Sequence, residues 1–97
     1  MLFVAIWSLD TSIPSKEVAK AAARIIEKDS WPPKGSEIKD FLIFPGHRGI
    51  TIMEASSEEA VWRSYLLWEK EIPGLFTEYE VHPAVSIETA IASVLED

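Results

Sequence analysis

A chain of 97 residues, 47% hydrophobic and 26% charged, has the composition of one folded domain (residues 1–97) with a single modest core. Its 16 acidic and 9 scattered basic residues give a net charge of −7 and no cluster able to neutralise a run of phosphates, which disfavours nucleic acid as a partner. Cysteine is absent, which excludes disulfide and thiolate chemistry and fits a cytoplasmic location. The apolar start, Met1–Leu9, is closed by Asp10 and is too short to span a bilayer, so no membrane association is expected.

Leu2 to Leu9 reads as a strand that is apolar on both faces, with Phe3, Ala5, Trp7 and Leu9 on one and Leu2, Val4 and Ile6 on the other. A strand of a half-solvated sheet alternates apolar with polar, so this continuous run demands cover on both sides. Ser15 to Asp29 reads as an amphipathic helix with Val18, Ala22 and Ile25 on its stripe and Lys16, Lys20, Arg24, Glu27 and Lys28 outside it. Pro14 suits its first turn, and Trp31-Pro32-Pro33-Lys34-Gly35 ends it.

Ile38–Phe44 and Ile50–Ala55 read as strands joined by the hairpin loop Pro45–Gly49. Ser56 and Glu59 have the spacing of a capping box, placing a helix start there. That helix runs to about Glu71 with Val61, Tyr65, Trp68 and Ile72 inward, and Pro73-Gly74 stops it. Leu75–Val81 is a fourth strand with Leu75, Thr77, Tyr79 and Val81 on one face and Phe76, Glu78, Glu80 and His82 on the other. Pro83 ends it. Ser86 caps a last helix with the apolar stripe Ile87, Ala90, Ile91 and Val94.

The order is βαββαβ plus a terminal helix. Two right-handed crossovers place both main helices on one face of an antiparallel sheet, which is an α+β, ferredoxin-like sandwich. The other face carries Val4, Ile6, Ile50 and Ile52 with no helix assigned to it. A second copy packing sheet to sheet would cover it, so a homodimer is expected. The terminal helix folding over that face is the rival.

Met1–Trp7, the turn Pro33-Lys34-Gly35, Ile52-Met53-Glu54-Ala55, Trp68 and Tyr79-Glu80-Val81-His82-Pro83 together resemble a family of short, uncharacterised proteins in the dimeric α+β barrel superfamily. The resemblance covers most of the chain up to about Pro83. It implies a homodimer whose two sheets form a barrel, and it implies no particular reaction. The second strand departs from the relatives, since Phe41-Leu42-Ile43-Phe44 is wholly aliphatic and aromatic.

Few groups carry a chemical signal. Glu54 ends an apolar strand, where desolvation would raise its pKa and suit it to act as a general base, with His82 or His47 as the acid. A bond to a nearby backbone amide, or an ion pair with Arg48 or Arg63, is the inert alternative for it. Glu78, Glu80 and His82 alternate on one strand face, but one histidine without a second ligand cluster is a weak metal site, and no metal or other cofactor is expected. His47 and Arg48, in a glycine-flanked loop, offer an anchor for an anionic ligand group, an exposed turn being the plain alternative, and Trp7 and Tyr65 are candidate cleft walls. Trp62 and Leu66 lie off the apolar stripe of the second helix and suggest an interface or the wall of a ligand cleft, with cover by the terminal helix as the alternative within the chain. Ser8, Thr51 and Ser64 have no sequence context for activation.

Three functions compete. The favoured one is a non-enzymatic dimeric module binding a small, mainly apolar organic molecule or a protein partner. A cofactor-independent enzyme of isomerase or oxygenase type, acting on a small aromatic or carbonyl compound, is the alternative. A structural interaction protein without a ligand is the third.

Overall fold

A computed structural model of the chain describes residues 1–29 and 31–96. The elements in chain order are β1 (Leu2–Leu9), α1 (Ser15–Glu27), β2 (Ser36–Phe44), β3 (Arg48–Ala55), α2 (Glu58–Glu71), β4 (Phe76–Ala84) and α3 (Ile87–Glu96). The strands form one antiparallel sheet in the order β2-β3-β1-β4, so the doubly apolar β1 occupies a central position. This is the ferredoxin-like α+β fold with a C-terminal helix. No helix among the described residues is long and apolar enough to cross a membrane.

Strand pleating sorts the side chains as the sequence predicts. Phe3, Ala5, Trp7 and Leu9 are buried on the helix side together with Met53 and Ala55 of β3, Ala60 and Val61 of α2, and Leu75. Each fully buried Phe, Leu, Met or Val side chain among them contributes about 1.5–3 kcal/mol. The opposite face of β1 pairs Leu2 with Glu54, Val4 with Ile52 and Ile6 with Ile50. Those side chains are only half-buried, and Ile6 is 39% exposed.

α1 and α2 are held differently. α2 lies across β1, β3 and β4, whereas α1 packs chiefly on α2, burying Ala21 and Ile25. Glu71 fastens the two helices: its carboxylate accepts from Arg24 Nε at 2.9 Å and from Lys28 Nζ at 2.6 Å. Lys28 and then Arg24 hold its pKa below the ordinary 4.5, against some desolvation. A carboxyl whose folded pKa is depressed stabilises the fold above its ordinary pKa and ceases to do so as pH falls through the lower, folded value. Thermal melts from pH 7 to pH 3 should therefore show a loss of stability in the acid range that is smaller in Glu71→Gln. Parallel curves for the two proteins would rule out this link.

Several local expectations need correction. The capping box does not form: Ser57, not Ser56, occupies the N-cap of α2, and its side chain makes no capping bond. α1 ends at Glu27, before the prolines, because Asp29 adopts a left-handed conformation (φ +54°) and its N–H turns back to the Ile26 carbonyl. Pro83 does not end β4, which runs on to Ala84. β4 is an edge strand, where a residue without an N–H is tolerated. Phe76 is not on the face of Glu78 and Glu80. A register shift between Ser8 and Leu9 pairs Ser8 with Glu78 but Leu9 with Phe76, and this bulge turns Phe76 toward the core.

The terminal helix covers neither the open sheet face nor Trp62. Ser86 caps it through the Thr89 N–H at 3.1 Å, yet α3 buries no side chain, and Ile87, Ile91, Val94 and Leu95 are all exposed. The rival placement of this helix is therefore set aside.

Candidate functional site

Trp7 organises the site. Its cross-strand partner on β3 is Gly49, a buried residue that lies beneath the indole. A Cβ built at that position would collide with the Trp7 ring and lie 2.6 Å from the Leu42 carbonyl oxygen. Glycine is required here for close approach and not for its backbone angles. Laid across β3 in this way, Trp7 donates its Nε1–H to Thr51 Oγ1 at 3.0 Å, a buried bond. Its ring meets Phe41 of β2 at 5.4 Å and Phe76 at 6.0 Å.

A second indole repeats the pattern from the other side. Trp31 donates Nε1–H to Ser64 Oγ of α2 at 2.7 Å, and its ring packs edge-on against Phe41 at 5.7 Å and Trp68 at 5.9 Å. A further aromatic group, Phe76, Tyr79, Tyr65 and Trp62, continues over β4 with centroid separations of 4.9–5.6 Å. Burial, with Tyr65 beside it, pushes the Tyr79 phenol well above its usual range, so it stays neutral.

Because α1 rests on α2 and stands away from the sheet, a cleft of about 290 Å³ lies between them. Val18, Ala19 and Ala22 of α1 form its roof. Trp7, Phe41 and Thr51 are its floor, and Ser64, Trp68, Phe76 and Tyr79 close the sides. The cleft runs out toward β2, whose helix-facing Phe41 and Ile43 remain 41% and 64% exposed. His47 lines the cleft from the β2–β3 hairpin. It sits at φ +58°, uncommon for a residue with a Cβ, and its carbonyl accepts the Leu9 N–H at 2.7 Å, pinning the loop to the end of β1. The lining is aromatic and aliphatic with a few polar groups, the character of a small-molecule site. Its volume suits a small one.

The structure brings together only some of the residues singled out from sequence. Trp7 and His47 line the cleft. Tyr65 lies behind that wall, stacked on Phe76 and Tyr79, and Arg48 is exposed, paired with Ser8 and Phe44 on the open sheet face. Glu54 is at the other end of β3, on the open face, where its carboxylate accepts from the Met1 ammonium at 2.8 Å. His82 lies on edge strand β4 against Glu80 at 3.2 Å. β1 separates Glu54 from His82, so the expected acid–base pair is not assembled within one chain, and neither member reaches the cleft. No group of three or more His, Asp or Glu side chains fit to hold a metal occurs among the described residues.

Trp62 is 37% exposed, its ring leaning on Tyr79 of β4 at 5.4 Å, and Leu66 beside it is exposed. The residues that sequence reasoning missed are Trp31, Phe41, Thr51 and Ser64. The available signal was the wholly apolar end of β2, Phe41–Phe44: an edge-strand segment with no polar face must be covered by something, and here part of its cover is the cleft.

The model of the family described as domain of unknown function DUF3303 matches residues 1–96, and the chain belongs to that family. No curated protein matches it. Among solved structures, it is similar to a protein described as an antibiotic biosynthesis monooxygenase from Nitrosomonas europaea (14% identity, 88% of this chain and 98% of the other, TM-score 0.53). It is similar to a second antibiotic biosynthesis monooxygenase at 14% identity, over 89% of this chain and all of the other, with a TM-score of 0.55. At such identity the likeness shows the ferredoxin-like fold alone.

Proposed function

We propose that this DUF3303 protein is a homodimeric module that binds a small, mainly apolar molecule in the cleft between α1 and the sheet. The observation that carries the reading is the cleft itself: an aromatic-walled space of about 290 Å³ beside a core that is otherwise filled by Phe3, Met53, Val61 and Leu75. Apolar contact with Trp7, Phe41, Trp68 and Phe76 supplies the affinity, and the open β2 side supplies the entrance. The dimer is supported by the uncovered apolar sheet face and by the exposed stripe of α3.

A cofactor-independent reaction in the same cleft is the second reading. One observation favours it: His47, the basic side chain on the cleft wall, is held in a left-handed conformation, and such conformations gather at functional sites.

The four indole N–H groups make the binding test direct. Adding toluene to nitrogen-15-labelled protein should shift the Trp7 and Trp31 Nε1–H resonances and leave Trp62 unmoved. Ala22→Phe, which fills the roof of the cleft, should abolish the shifts. Unmoved Trp7 and Trp31 signals at millimolar toluene would exclude a ligand-binding cleft.

A further inference from the structure

Two hydroxyls in the cleft are each bonded on one side only. Thr51 and Ser64 are buried, 3% and 4% exposed, and both line the cleft. Thr51 Oγ1 accepts from the Trp7 indole and Ser64 Oγ from the Trp31 indole. An indole nitrogen can only donate, so the direction of both bonds is fixed: the hydroxyls are acceptors toward the protein. Each retains its own proton. Among the described residues neither hydroxyl donates to a protein acceptor, not even Ser64 to a carbonyl of its own helix. A buried donor without a partner is costly, and a bond received from an indole polarises the hydroxyl into a better donor.

From this arrangement we infer that the cleft selects a neutral aromatic ketone, or a like ring system bearing a carbonyl, whose oxygen accepts from Thr51 and Ser64 while its ring lies among Trp7, Phe41, Trp68 and Phe76. The inference rests on the cleft reading above and narrows it. An aromatic amine brings donors where the site already donates. A carboxylate would need a compensating cation beside the two hydroxyls, and among the described residues the cleft lining contains no lysine or arginine and a single histidine, His47, on the β2–β3 hairpin. The neutral Tyr79 phenol adds no charge that would alter this preference. A ketone meets the two free protons and the aromatic framework at once.

The test compares 2-acetylnaphthalene with 2-ethylnaphthalene, which has the same ring but no acceptor. Titration calorimetry of the whole protein should show the ketone binding roughly thirtyfold tighter, the value expected for two ordinary hydrogen bonds. The carbonyl stretch of the bound ketone should fall below its frequency in hexane, a shift that a purely structural role for the hydroxyls would not produce. Thr51→Val and Ser64→Ala should each reduce both the preference and the shift, and Thr51→Ser should retain them. If Thr51→Val fails to fold, Ser64→Ala and Thr51→Ser decide the matter. Equal affinity for the two compounds in the wild type, or a preference that survives Ser64→Ala and Thr51→Val, overturns the inference and leaves the cleft reading standing. Binding of neither compound overturns both.

Discussion

Gly49→Ala should lower the stability of the protein by about 2–4 kcal/mol and its melting temperature by roughly 10–30 °C. The added methyl has nowhere to go: the Trp7 indole is above it and the Leu42 carbonyl oxygen would be 2.6 Å away. Relief requires Trp7 to rotate off β3, which breaks its bond to Thr51 and its contacts with Phe41 and Phe76. Overpacking of a dense core costs about 1–3 kcal/mol, and losing a buried hydrogen bond adds about 1 kcal/mol more. A double-mutant cycle with Trp7→Leu isolates the cause. Most of the alanine penalty should vanish once the indole is absent, and the remainder reports the Leu42 carbonyl. An alanine variant melting within a couple of degrees of the wild type would show that the indole does not rest on Gly49. Because Trp7 is also the floor of the cleft, the variant should bind toluene poorly as well.

The same pair of residues shows how far the sequence can be read. Trp7 belongs to a strand apolar on both faces, and its burial was legible from the local pattern, as the antiparallel sheet was from the order of elements. Periodicity is a property of neighbours along the chain, so it names faces well. It failed where a single residue shifts the register: the bulge opposite Ser8 and Leu9 turned Phe76 to the core, and nothing in Phe76-Thr77-Glu78 announces it. The site was less legible than the fold. Its polar centre joins Trp7 to Thr51 and Trp31 to Ser64, pairs 44 and 33 residues apart. Each of these residues has a bland reading of its own, and only the folded arrangement makes donors of the two hydroxyls. Glu54 stood out in the sequence for the opposite reason. An acidic residue at the end of an apolar strand is conspicuous, but strand ends are where charge meets water or a terminus, and here it meets the Met1 ammonium.

The second large effect is expected on assembly. Leu2, Val4, Ile6, Ile50 and Ile52 form the centre of the sheet face that carries no helix, joined on β2 by Leu42 and Phe44, which are more than 40% exposed. An apolar area of this kind, rimmed by Glu78, Glu80 and His82 on β4, has the pattern of a buried protein–protein contact. In a two-fold dimer every substitution acts twice. Removing about 1.5–3 kcal/mol per isoleucine therefore weakens association by about 3–6 kcal/mol, or roughly two to four orders of magnitude in the dissociation constant. Ile6→Lys and Ile52→Lys suit this test because each new ammonium has an acidic cross-strand neighbour, Glu80 opposite residue 6 and Asp40 opposite residue 52. Opposite charges in that position stabilise a sheet, so the monomer should remain folded. Light scattering at micromolar concentration should give twice 10.9 kDa for the wild type and 10.9 kDa for either variant, each with an unchanged circular dichroism spectrum. A wild type that is already monomeric rules out the sheet-to-sheet dimer. Variants that stay dimeric do so as well, and they would transfer the contact to the exposed Ile87, Ile91, Val94 and Leu95 of α3.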